Sequence, residues 1–223
     1  MTWTTEIFGS KLKKYIESAC KRLDRARYTQ ESAYVDAFIA RLDGELNFGE
    51  DKGTINITPT IVADRGAGSA ESKYGADFAI VFESENIEHP IRKAIISQAK
   101  NCVLDKLSAA EIKRLNTQCI KMANITNDYI ILEAPSVAGA IPTIKIGNPA
   151  TSSWEAESIS FDDYLLDHIL SCQHGDRRPD FIDGVATSKL SGIRVDVNGI
   201  EYIPEVKPKN RSSQKPRNGG MKP

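Results

Sequence analysis

The sequence predicts an α/β fold, a mixed β-sheet flanked by helices. Three observations predict it. Apolar residues first recur at helical spacing, then switch to short runs of strand character, then return to one well-capped helix followed by another apolar run. The 223 residues, 40% hydrophobic and 26% charged, are enough to bury one sizeable core.

The elements follow in order. Leu12, Ile16, Ala19 and Leu23 are spaced as one helical face across SKLKKYIESACKRLDRAR, and Tyr34, Phe38 and Leu42 as another across QESAYVDAFIARLDGEL. TINITPTIVAD then alternates, with Ile55 and Ile57 between polar neighbours. GADFAIVFE and KAIISQAKN are short apolar runs separated by the charged, Pro-containing SENIEHPIR, so these three segments predict a three-strand meander. Ser108 and Glu111 form a capping-box signature ahead of Ile112, Leu115, Cys119 and Met122, which predicts a helix over about 109–123. DYIILEAP and IPTIKIG read as strands. Ser160 with Asp163 reads as a second cap, opening a helix through Leu165, Ile169 and Cys172. After Gly175, GIRVDVNGIEYI holds one or two weaker strands, and Asn198-Gly199 fits a hairpin turn.

Composition excludes several classes. With 29 Lys and Arg against 30 Asp and Glu, bulk charge cannot hold nucleic acid as in a histone. Six of those cations and none of the acids lie in 206–223, so this tail carries +6 and the remainder −7. Its Pro, Lys, Arg, Ser and Gly lack apolar periodicity, which predicts disorder. No apolar run approaches the roughly 18–20 residues of a membrane span, and the N-terminus lacks a secretory core. The expectation is a soluble, cytoplasmic protein with no membrane partner. The four cysteines are widely spaced with no Cys-x-x-Cys pair, as expected of reduced structural residues. Cys172 and His174 resemble half a zinc site, but no second such pair completes it, and the nearby His168 reads as a packing residue. Serine-hydrolase elbows, Walker loops and dinucleotide fingerprints are absent.

The chemistry is concentrated in the second and third predicted strands. Side chains two apart on a strand share a face, so Gln98 and Lys100 project together, while Asp77 opens the preceding strand. Paired as a hairpin, the strands would bring Asp77 beside both. Lys100 follows an apolar run that should be buried, and Asp77 is the partner expected for its ammonium. The Asp77 carboxylate, the Gln98 amide oxygen and the Ala99 backbone carbonyl are hard oxygen ligands suited to Mg²⁺ or Mn²⁺. Lys100 would orient a water or stabilise charge on a phosphate. That is the inventory for phosphodiester hydrolysis.

Gly75-Ala76-Asp77 followed by Gln98-Ala99-Lys100 resembles the PD-(D/E)XK superfamily of restriction-endonuclease-like nucleases, in the Gly-x-Asp and Gln-x-Lys form similar to Mrr-like enzymes. The resemblance implies an αβββαβ core over about 30–135 within a single domain of 1–205, with 136–205 as an extension. It implies that Asp77 binds the metal, that Gln98 replaces an acid, and that Lys100 is the catalytic lysine. Glu31, on the helix before the sheet, would complete the shell, and Glu71 competes for that role. Gln118, on the following helix, could also face the site. The activity implied is Mg²⁺-dependent endonucleolytic cleavage of DNA, in restriction or defence against phage, by a possible homodimer or with a partner protein that supplies specificity. The alternative is a degenerate nuclease fold that binds DNA or scaffolds a complex, since a neutral amide stands where an acid is usual. The tail residues Lys207, Lys209, Arg211, Lys215 and Arg217 would contact phosphates without reading sequence. Residues 136–205 also fit a lobe that gates the nuclease.

Overall fold

The computed structural model describes residues 5–49, 52–62, 69–85 and 90–200. Two helices open the chain, α1 (Thr5–Cys20) and α2 (Glu31–Ala40), and they bury Leu12, Ile16, Tyr34 and Phe38 as the spacing predicts. Leu23 is buried too, but beyond α1, because the Asp24 side chain accepts a hydrogen bond from Ala26 N and opens a separate 3-10 turn at Arg25–Arg27. Leu42 likewise lies past the end of α2. At Gly44, with φ +149°, the chain turns into β1 (Gly44–Asn47), a strand concealed by the helical spacing before it.

There follow β2 (Thr54–Thr60), α3 (Ala70–Tyr74), β3 (Phe78–Ser84), β4 (Ile91–Lys100), α4 (Ala109–Ala123) and β5 (Tyr129–Glu133). The capping box ahead of α4 forms: Ser108 Oγ accepts from Glu111 N at 3.3 Å while the Glu111 carboxylate accepts from Ser108 N at 2.8 Å. Then come β6 (Thr143–Asn148), the short β7 (Ser153–Trp154) and β8 (Ile159–Ser160), α5 (Phe161–Tyr164), α6 (Pro179–Ala186) and β9 (Ser191–Asn198). The sequence reading missed α3 and α6, which are short and carry too few turns for a period to register.

The strands form one nine-stranded mixed sheet in the order β1-β2-β9-β3-β4-β5-β6-β7, with β8 added against β6. This corrects the expected meander. β3 and β4 do pair antiparallel, but β2 is separated from β3 by β9, which runs antiparallel to β2 and parallel to β3. The long connection between β2 and β3 leaves room for the insertion. β9 supplies a matching face, with Ile193, Val195 and Val197 all buried. Gly199 has φ +67°, as a turn after Asn198 requires, but a second strand of that hairpin would fall outside the described residues.

The sheet separates two layers of core. α1, α2 and α5 cover one face, against Ile80, Phe82, Ile95, Leu132 and Val195. α4 and α6 cover the other, against Ala79, Val81, Ala94, Ile96 and Ile131. β4 is buried over most of its length and feeds both layers, each fully buried Ile contributing about 2 kcal/mol. No helix among the described residues is long and apolar enough to cross a membrane.

The late helix departs from expectation after α5, where residues Leu165–Leu170 wind as a π-helix. Lys93, fully buried on β4, accounts for its stability. Its Nζ donates to the carbonyls of Ile169 at 2.5 Å, His174 at 2.8 Å and His168 at 3.4 Å, which satisfies the helix end from beneath. Burial lowers the Lys93 pKa to about 8. His174 is sealed in the same corner, its Nδ1 2.6 Å from Tyr164 Oη and its Nε2 3.5 Å from Asp128. Burial outweighs the attraction of Asp128 and lowers the His174 pKa from 6.5 to about 4.

Between those two values the unfolded chain binds a proton that native His174 does not. The histidine's contribution to stability is therefore full above pH 6.5 and is lost as the pH falls through about 4. Urea unfolding at about pH 7 and about pH 5 should show a larger loss for the wild type than for His174→Gln. Equal losses would contradict this burial.

Candidate active site

The site is built at the end of the β3/β4 hairpin. The register pairs Phe78 with Ser97, so the next residue back, Asp77, stands opposite Gln98, and Asp77 N donates to Ser97 O at 2.7 Å. Gly75 makes the approach possible. Its φ is +71°, and a Cβ there would lie 2.9 Å from Gln118 O and from the Lys121 side chain on α4. Only glycine lets the turn from α3 into β3 lie this close to α4.

On β4, Gln98 and Lys100 share the face of Ala94 and Ile96, as period two dictates. Gln98 is 1% exposed and Lys100 4%. Asp77 Oδ2 accepts from Ala99 N at 2.7 Å and from the Gln98 amide nitrogen, which also lies 3.2 Å from Ala99 O. Gln98 Oε1 is buried and has no hydrogen-bond partner among the described residues. Asp77, Gln98 and the Ala99 backbone are thus brought together as the sequence predicts.

Lys100 corrects the expectation. Its partner is Glu31, whose Oε2 lies 2.9 Å from Nζ, and not Asp77. Glu31 is the first residue of α2, where a carboxylate also opposes the positive end of the helix dipole. α2 lies in the opposite layer, and its first residue meets Lys100 at the C-terminal end of β4. Asp77 is instead engaged by Ala99 N and Gln98, one strand away.

A residue that sequence reasoning missed stands beside Lys100. Glu133 pairs with it in the β4/β5 register and is 2% exposed. Its carboxylate accepts from Leu104 N at 2.7 Å, Thr143 Oγ1 at 2.9 Å and Ser158 Oγ at 2.9 Å. It therefore ties the segment after Lys100 to β6 and the loop ahead of β8. The signal was available in DYIILEAP, where an acid ends a fully apolar run and must find donors.

The other candidates are placed as follows. Gln118 is buried on α4, and its Oε1 also has no partner among the described residues. Glu71 lies in α3, but its side chain falls outside the described residues, as do Lys207, Lys209, Arg211, Lys215 and Arg217. His174 is spent on Tyr164 and Asp128, and the His168 ring stacks on Tyr164. Cys172 Sγ lies 3.9 Å from Leu170 O, and the nearby Asp176 is held by Arg178 at 2.6 Å and Thr126 at 2.8 Å. All four cysteines are free.

No cluster of three His, Cys, Asp or Glu side chains able to hold a metal occurs among the described residues. The donors around Asp77 nevertheless fit a hard cation: one carboxylate, the Ala99 carbonyl and the orphaned Gln98 Oε1. Turning the Gln98 amide end for end exchanges its nitrogen for that oxygen beside Asp77. No family model, curated protein or solved structure matches the chain. Function is therefore read from these residues alone.

The Glu31–Lys100 pair has a measurable signature. Glu31→Ala leaves a buried lysine without its carboxylate and should cost about 1–2 kcal/mol, less than a fully sealed pair because the Glu31 side chain is 35% exposed. In a Lys100→Met background the same change should cost much less. A double-mutant cycle by urea unfolding checks this, and additive losses would contradict the pairing.

Proposed function

We propose that this protein is a Mg²⁺-dependent (or Mn²⁺-dependent) endonuclease that hydrolyses phosphodiester bonds in DNA. The observation that carries the reading is the convergence of Asp77, Gln98, the Ala99 backbone and the Glu31–Lys100 pair at one end of two adjacent strands. Apart from β1 and the short α3, the order α2, β2, β3, β4, α4, β5 is αβββαβ, and β5 runs parallel to β4 after the α4 crossover. Both features support a restriction-endonuclease-like core of the PD-(D/E)XK type. The insertion of β9 between β2 and β3 is this chain's departure from a contiguous meander.

Asp77, Ala99 O and Gln98 Oε1 would hold the cation. When bound, it supplies Lewis-acid neutralisation of phosphoryl charge. Lys100 Nζ is a donor fixed in advance by Glu31, so it is aimed at developing phosphate charge or at a water without reorganising during the reaction. Glu31 acts as its positioning residue. Gly75 and Glu133 hold the two loops that carry Asp77 and follow Lys100.

A second reading is favoured by one specific observation. Asp77 Oδ2 already receives two donors from the protein, and a neutral amide stands where a second carboxylate would strengthen cation binding. On that reading the chain is a DNA-binding or scaffold subunit that no longer cuts. Restriction or anti-phage defence and a partner protein that sets specificity are compatible with either reading, and pairing of two copies to cut two strands with the nuclease reading alone.

Plasmid nicking by the purified protein with Mg²⁺, Mn²⁺ or EDTA separates the two. The nuclease reading expects metal-dependent nicking that falls by about 10²-fold or more in Lys100→Ala and is abolished in Asp77→Ala. DNA binding without nicking would establish the second reading.

A further inference from the structure

Beside the site lies a group of cations to which neither the sequence reading nor the proposed chemistry gives a task. The segment KRLDRAR, residues 21–27, contains Lys21, Arg22, Arg25 and Arg27 against a single acid, Asp24. It sits immediately after α1 and within the 3-10 turn that Asp24 opens. A contact fixes it relative to the site: Arg25 Nη1 donates to the backbone carbonyl of Asn101, the residue that follows Lys100.

Three further features mark this spot. Arg25 Nε, Asn101 Oδ1 and Tyr34 Oη are all buried without a hydrogen-bond partner among the described residues. Tyr34 is 1% exposed, and Arg25 is close enough to oppose the rise that burial imposes on its phenol. Lys21 and Arg22 are exposed, and no carboxylate of the described residues lies within ion-pair distance of either. Arg27 reaches Asp24 only at 3.7 Å with its side chain 76% exposed. These side chains line a basin of about 320 Å³ together with Leu23, Asp24 and Ala138.

Three arginines elsewhere are held firmly by carboxylates. At the opposite end of the β3/β4 hairpin, Arg92 and Arg194 share Glu83, with Asp183 and Asp196 as further partners. Arg178 is likewise held by Asp176. Guanidinium groups there are neutralised within the fold, whereas Lys21 and Arg22 have no carboxylate partner among the described residues and Arg27 meets Asp24 only at the edge of ion-pair distance. Exposed cations around a basin suit a polyanion with repeating, solvent-exposed charges.

We infer that Lys21, Arg22 and Arg27 form the surface that grips the phosphates of a DNA duplex and seats it against the Lys100 end of β4, with Arg25 anchoring that surface to the strand. The inference rests on the nuclease reading for its substrate. Binding here is sequence-independent and electrostatic, so it weakens with salt through counterion release.

The test is fluorescence anisotropy of a labelled random-sequence duplex with the full chain in EDTA, titrated at several salt concentrations. Lys21→Ala/Arg22→Ala is compared with Lys14→Ala/Lys52→Ala, which removes the same charge from exposed positions elsewhere. The first variant should bind at least about tenfold more weakly at moderate salt, and its slope of log affinity against log salt should shrink by about 2, roughly 1 per lost phosphate contact. The control should retain most of the wild-type slope. Equal effects in both variants, no effect in the first, or a wild type that binds no duplex at low salt would each overturn the inference. Plasmid nicking by the same proteins separates it from the reading beneath it. Metal-dependent nicking with unaltered binding by the first variant leaves the nuclease standing and removes this surface. Weakened binding by that variant, with no nicking by the wild type, keeps the surface and removes the nuclease.

Discussion

Burying a lysine ammonium costs several kcal/mol unless a carboxylate or an equivalent set of dipoles meets it, and β4 carries two such lysines on opposite faces. Their two solutions organise the molecule. Lys93 points into the layer under α1, α2 and α5 and is met by three backbone carbonyls of the π-wound segment and the turn after it. Carbonyls are fixed, neutral acceptors, so this solution serves architecture. Lys100 lies on the other face, at the strand's end, and is met by a single carboxylate at a helix start that is itself partly open to solvent. A lysine held by one flexible, half-exposed partner is oriented yet still able to engage an anion. That difference, more than burial itself, is why Lys100 and not Lys93 is proposed as the functional lysine.

The placement of Asp77 depends on a second constraint, the hairpin register. Cross-strand partners are fixed once Phe78 faces Ser97, because a slip of one residue would turn every side chain of β4 to the wrong layer. The apolar pattern of both strands therefore determines which residues flank the carboxylate. Gly75 permits the tight approach on one side, and Glu133 secures the loop on the other.

How much of this was legible follows from what each signal encodes. The Asp77–Gln98 juxtaposition could be read because it needs only two short apolar runs and a hairpin between them. α4 could be read because a capping box is a local chemical signature. The partner of Lys100 could not, since Glu31 reaches it through the packing of α2 on the sheet, and nothing local distinguishes that contact from the dipole preference of a first-turn acid. Strand order was hidden for the same reason: β9 enters between β2 and β3 by long-range pairing, whereas adjacency in sequence suggested a meander. The π-wound turn depends on Lys93 arriving from β4 beneath it, and helical spacing of Leu165, Ile169 and Cys172 gives no hint of that.

The central claim is that Asp77 and Gln98 form the two side-chain ligands of a hard-cation site. Calorimetric titration of Mn²⁺ into the wild type, Asp77→Asn and Gln98→Glu tests it without reference to any substrate. The account predicts saturable binding by the wild type, loss of that binding in Asp77→Asn, and roughly tenfold tighter binding in Gln98→Glu, where a carboxylate replaces the amide. Indistinguishable titrations for the three proteins would contradict it.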